Sequence, residues 1–87
     1  MKRYAIVYDR RAEKQLRAIR DRRLALALQA AIDALSETPR PPGCLKMSGP
    51  GDEWRIRVGD WRIVYRIEDG RLVVVVVRVA VRGGVYG

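Results

Sequence analysis

The chain has 87 residues, with 18 Lys+Arg against 10 Asp+Glu, one cysteine and no histidine. A chain this short supports one small core, and its net charge of +8 points to polyanionic partners: nucleic acid, an acidic protein segment or an anionic membrane surface. One thiol closes no internal disulfide, which suits a reducing cytoplasm; without histidine, a structural zinc site and a Ser-His-Asp or Cys-His centre are out of reach.

Residues 1–87 are read as a single domain, with no metal and no cofactor expected. Arg3 to Tyr8 is rich in β-branched and aromatic residues and predicts a strand. Asp9 is a candidate N-cap for a first helix, whose apolar stripe is Ala12, Leu16 and Ile19. Asp21 is placed to cap a second helix, with Leu24, Leu28, Ala31, Ile32 and Leu35 on its apolar face and Thr38-Pro39 as its stop. Two helices with almost no linker make a helical hairpin. Residues 37–53, with Pro39, Pro41, Pro42, Gly43, Gly49, Pro50 and Gly51, read as an irregular connection.

Three strands follow, Trp54 to Val58, Trp61 to Ile67 and Leu72 to Val81, joined by tight turns at Gly59-Asp60 and Asp69-Gly70. The Asp-Gly pair is the stronger signal, since a type I′ turn wants positive φ at both central residues. The order βααβββ defines an α+β domain in which a two-helix hairpin packs on a four-stranded, mostly antiparallel sheet. The longest apolar run, Leu72 to Val77, falls far short of the roughly 20 residues that span a bilayer, so no membrane partner is expected.

A two-residue loop at Gly59-Asp60 sets Val58 against Trp61, Arg57 against Arg62 and Arg55 against Val64. Strand alternation then gathers Arg55, Arg57, Arg62 and Arg66 on one face and sends Ile56, Val58, Trp61, Ile63, Tyr65 and Ile67 to the other. Alternating arginine is an ordinary way to keep a sheet face soluble. Like charges opposed across a ladder are destabilising, however, and ask for an anion; the guanidinium fork suits phosphate. The helix arginines are interspersed with Glu13, Asp21 and Asp33 and read as a solvated face. Cys44 lacks a histidine partner and reads as an incidental thiol, and Trp54 and Trp61 read as packing. The row Val73, Val75, Val77 and Val79 shares the arginine face and forms an apolar stripe that needs cover.

These residues carry a resemblance. A Pro-Pro-Gly-x-x-Lys-x-x-Gly loop (Pro41 to Gly49) precedes a Trp-Arg-Ile-Arg-Val-Gly-Asp-Trp-Arg-Ile-Val-Tyr block (Trp54 to Tyr65). A valine-rich strand ending at Arg82 and a Val85-Tyr86 tail complete it. Together they resemble the RelE/ParE toxin superfamily over essentially the whole chain. The resemblance implies a cytoplasmic toxin of a type II toxin–antitoxin system, held in check by a cognate antitoxin. In RelE-type members it further implies an endoribonuclease that cuts mRNA in the ribosomal A site. By that resemblance Arg55 and Arg57 lie along the RNA backbone and Arg62 stabilises the scissile phosphate; Lys46, in the loop, and Arg66, on the arginine face, are expected as further RNA contacts. Arg82 helps the leaving oxygen, and Tyr86 stacks on or orients the target nucleotide.

Two departures keep alternatives open. Val81 stands where many members carry His or Lys, which moves weight toward a ParE-like inhibitor of DNA gyrase without nuclease activity, or a weakly active RNA-binding relative. Along an unbroken strand Arg82 shares parity with Arg78 and falls on the Trp61 face, away from Arg62, unless a bulge redirects it.

Overall fold

The computed structural model describes residues 3–49 and 51–81. The chain runs β1 (Ala5–Tyr8), α1 (Arg10–Arg17), α2 (Arg22–Ala34), β2 (Leu45–Lys46), β3 (Glu53–Val58), β4 (Trp61–Glu68) and β5 (Val73–Val81). Both predicted caps form: the Asp9 side chain accepts from the Arg11 N–H at 2.8 Å and Asp21 from the Leu24 N–H at 3.2 Å. Each satisfies a backbone donor that the first helical turn leaves without an internal partner. Helix α2 stops at Ala34, short of Thr38-Pro39. The earlier stop lets Ser36 clamp the start of the first strand: the Tyr4 N–H donates to the Ser36 carbonyl at 2.8 Å, and the Ser36 hydroxyl donates to the Tyr4 carbonyl at 2.7 Å.

The sheet has five strands in the order β1-β5-β4-β3-β2, one more than expected. The extra strand comes from the connection read as irregular: Leu45 pairs with Arg55 and Lys46 with Trp54, antiparallel. Two residues between Pro/Gly turns carry no periodicity, so only pairing with β3 defines them. Strand β1 lies parallel to β5, and every other pairing is antiparallel.

The turn at Gly59-Asp60 sets the register as predicted, with Val58 opposite Trp61, Arg57 opposite Arg62 and Arg55 opposite Val64. Gly59 takes φ +59 and Asp60 does not, which is the II′ rather than the I′ pattern. The Asp69-Gly70 turn differs from expectation. Glu68 pairs with Val73, leaving a four-residue connection with a 3₁₀ turn over Asp69–Arg71, and the left-handed residue is Leu72 at φ 55. Tertiary bonds outweigh the local preference here: the Asp69 carboxylate accepts from the Tyr4 hydroxyl at 2.7 Å and from Arg40 at 3.0 Å. Leu72 keeps its side chain packed against the core.

The helices cover one sheet face. Ala12, Leu28, Ile32 and Leu35 meet Ile56, Ile63, Tyr65, Ile67, Val74, Val76 and Val79, with Trp54 and Trp61 partly buried at the margin. The other face carries the arginines.

A bulge decides what that second face contains. Val64 pairs with Arg78, but the next residue, Tyr65, pairs with Val76, leaving Val77 as the extra residue. One extra residue reverses the alternation beyond it. Accordingly Val74, Val76 and Val79 are all buried, and Arg78 and Ala80 turn to the arginine side. The expected row therefore breaks: Val73 and Val75 share the arginine face, whereas Val79 is core. Arg82, whose side the parity argument left open, lies outside the described residues, as does Tyr86. Close to the bulge, the Val79 N–H donates to Oε1 of Gln15 at 2.6 Å, which ties β5 to α1.

Candidate nucleic-acid interface

The exposed face is best read as cross-strand rows. The first joins Arg57, Arg62 and Ala80; the second joins Leu45, Arg55, Val64 and Arg78. A third joins Glu53, Arg66, Val75 and Val7. Rows on one face are two residues apart, about 6.6 Å along a strand.

Arg55, Arg57 and Arg62 converge on a recess of about 190 Å³, closed by Gly43, Leu45 and Ile56. Arg57 is exposed, and Arg62 is half-buried with its Nη1 atom shielded from solvent. In a partly shielded site, guanidinium–anion attraction is less screened than on open surface. Three cations line one small recess, two of them directly opposed, an arrangement chemically suited to an anion.

The remaining predicted contacts lie around it. Lys46 is exposed on the edge strand and falls in phase with Trp54 rather than with Arg55. Its side chain nonetheless lines, with Leu45, Met47, Ser48 and Arg55, a neighbouring hollow of about 320 Å³. Arg66 belongs to a separate cavity further along β4 and forms an ion pair with Glu68 at 3.5 Å. Arg82 and Tyr86 lie outside the described residues. Strand parity placed Arg78 on the Trp61 face; it lies instead on the arginine face, because the extra residue Val77 reverses the alternation. Val64 stands opposite Arg55 as expected, but its burial was not foreseen: on the arginine face between Arg55 and Arg78 it is only 4 % exposed.

Arg40 has a different task. Its guanidinium bonds Asp69 at 3.0 Å, reaches Asp52 at 3.5 Å and stacks 5.1 Å from the Trp54 ring centroid. Trp54 in turn donates from Nε1 to Asp52 at 3.0 Å. The bond to Asp69 raises the pKa of Tyr4 and that of Arg40 above their ordinary values. Tyr65 donates to the Pro39 carbonyl at 2.7 Å, and burial, with Cys44 beside it, raises its hydroxyl well above the usual phenol range. Together these bonds fasten the 37–52 connection to the sheet, and through it the Gly43–Leu45 wall of the recess.

Fold and sequence together define the class. The family described as the ParE toxin of type II toxin–antitoxin systems, parDE, matches residues 6–86. The chain belongs to this RelE/ParE family and is a toxin of a type II toxin–antitoxin system. The isolated RelE toxin of E. coli shares 29% identity at a TM-score of 0.78, covering 95% of this chain and 90% of that one. The RelBE2 toxin–antitoxin complex of Mycobacterium tuberculosis gives 27% identity and a TM-score of 0.75, covering 92% and 99%. The archaeal RelE–RelB complex of Pyrococcus horikoshii gives 24% identity and 0.81, covering 95% and 98%, a likeness of fold alone. No curated protein sequence matches the chain with significance.

Proposed function

We propose that this toxin is an endoribonuclease that acts in the cytoplasm on mRNA in the ribosomal A site and is neutralised by a cognate antitoxin. The observation that carries this reading is the convergence of Arg55, Arg57 and Arg62 on one small recess. Attack of the RNA 2′-OH on the adjacent phosphorus needs three things: the attacking oxygen in line, the growing phosphorane charge neutralised and the leaving oxygen assisted. Arginine cannot act as a base at accessible pH, so Arg55, Arg57 and Arg62 contribute positioning and charge stabilisation. Lys46 and Arg66 extend the contact to neighbouring phosphates. The resemblance adds Arg82 as the group assisting the leaving oxygen and Tyr86 as the group holding the target nucleotide. Val73 and Val75, next to the exposed edge residue Val7, offer an amphipathic antitoxin segment an apolar landing beside Arg66.

A second reading, inhibition of DNA gyrase without RNA cleavage, is favoured by the ParE family match and by Val81 in place of a titratable residue. One experiment separates the two. Ribosomes translating a defined message are treated with the toxin, and cuts are mapped by primer extension, beside a gyrase supercoiling assay. Cuts at fixed codon positions that are slowed strongly by Arg62→Ala support the nuclease. An intact message with blocked supercoiling overturns it in favour of the gyrase reading.

A further inference from the structure

The arginine face holds a second polar cavity, larger than the Arg62 recess. It lies further along β4, has a volume of about 460 Å³, and is lined by Asp9, Arg11, Met47, Glu53, Val64, Arg66, Val77 and Arg78. That volume lies within the roughly 300–1,000 Å³ typical of small-ligand sites. Its composition differs in kind from the recess: three guanidinium groups share the walls with two carboxylates, around apolar atoms of Val64, Val77 and Met47.

A site for a phosphate alone would not be walled by carboxylates, which repel it. Of the two acids, only Glu53 lacks an internal role. Asp9 is engaged in capping α1. Glu53 stands directly across from Arg66, yet the Arg66 ion pair goes to Glu68 at 3.5 Å. Glu53 is half-buried as a residue, and among the described residues its solvent-accessible carboxylate makes no ion pair and accepts no hydrogen bond. An accessible acceptor amid arginine donors, over an apolar floor, matches a group that presents donor and acceptor atoms side by side on a flat ring. A nucleobase is such a group. Carboxylates accept from exocyclic amines such as cytosine N4, while arginine donates to ring nitrogens and carbonyl oxygens.

We infer that this cavity is a nucleobase subsite, in which Glu53 selects a base bearing an exocyclic amine. The inference rests on the RNA-cleavage reading and adds a source of sequence preference to it. The second cross-strand row links the two sites: Arg55 lines the phosphate recess and, through Val64, stands in register with Arg78 in the cavity. One row along a strand is about 6.6 Å, so the base read belongs to a nucleotide close to the cut. The bulge at Val77 creates the subsite, because it brings Arg78 to this face.

The test uses the full-length toxin and ribosomes programmed with messages that differ only by cytosine or uracil at each position flanking the cut. Cleavage rates are measured at single turnover. At one position, and one only, cytosine should be cut faster than uracil by roughly tenfold. Glu53→Gln, which keeps size and shape but can also donate to a uracil carbonyl, should bring that ratio to within about threefold while thermal melting confirms the fold. Arg62→Ala should slow both messages and leave the ratio intact. Equal cutting of all messages, or a preference that survives Glu53→Gln, overturns the subsite and leaves the nuclease standing. Absence of cleavage on every message overturns the nuclease reading and the subsite together.

Discussion

Arg57 and Arg62 occupy directly opposed positions on β3 and β4, where like charges work against the ladder. The core does not need both, so the pair weighs against stability and in favour of anion binding, a trade common at functional sites. Arg57→Thr should raise the melting temperature at low salt, by an amount equivalent to about 0.2–1 kcal/mol. Threonine suits a strand by itself, so the repulsion is isolated by salt: the gain should shrink as ionic strength rises and the charges are screened. The same substitution should lower cleavage, and Arg62→Ala should lower it by about 10²–10³-fold, as loss of one preorganised donor does elsewhere. A gain that is unchanged in high salt would sink the repulsion argument.

Tyr65 supplies a second residue-level expectation. Its hydroxyl is raised above its ordinary value of 10.0 by burial first and by the neighbouring Cys44 next. The folded state thus holds this proton more tightly than the unfolded chain. Its contribution is fully present below pH 10.0 and is lost as pH rises above that value toward the folded pKa. Tyr65→Phe removes the titration and leaves the Pro39 carbonyl without its 2.7 Å donor, a cost of about 1–3 kcal/mol at neutral pH. In urea titrations the gap between wild type and variant should be constant up to pH 9 and narrow above pH 10. A gap that stays level to pH 11 contradicts the assignment.

At the scale of elements, the β5 bulge determines which side chains the arginine face holds, and α1 holds the bulge through the 2.6 Å bond from the Val79 N–H to Gln15. Gln15→Ala strands a partly buried donor and should lower stability by about 1–3 kcal/mol in urea denaturation. The loss should also loosen the phase of β5, read as faster amide exchange at Val79 than at Ile63. Equal exchange at both sites would mean that the bulge holds itself. This element also marks where the sequence stops being legible. The β3–β4 register could be read because arginine alternates with Ile and Val around a glycine turn, which leaves one solution that keeps apolar residues inside. Asp9 and Asp21 were legible as caps because local chemistry alone decides them. Leu72 to Val77 offers no polar residue to mark a side, so the bulge went unseen and parity put Arg78 on the wrong face. Strand β2 and the Asp69–Arg71 turn were missed because distant partners, β3 for one and Tyr4 with Arg40 for the other, determine them.

Across the whole molecule the net charge of +8 divides by structure. On the helices, apart from Arg11 at the cavity wall, charge is diluted by acids and solvent: Arg17 is 78% exposed at its side chain and lies 3.9 Å from Glu13. Such pairs contribute little to stability and present no fixed array to a ligand. On the sheet, Arg55, Arg57 and Arg62 share one recess and Arg66 and Arg78 the cavity beside it, on a platform of paired strands. Only this second share should displace counterions from a bound RNA strand. Affinity for a short single-stranded RNA should therefore fall with salt on a log–log plot, with a slope of about −0.7 per phosphate neutralised. Arg55→Gln and Arg62→Gln should each flatten that slope by about 0.7, whereas Arg17→Gln should leave it unchanged although it removes the same formal charge. Fluorescence anisotropy across a salt series reads this directly. If all three variants flatten the slope equally, binding follows net charge and the sheet face has no special standing. If only the sheet variants do, the charge that matters is the part held in register by β3 and β4.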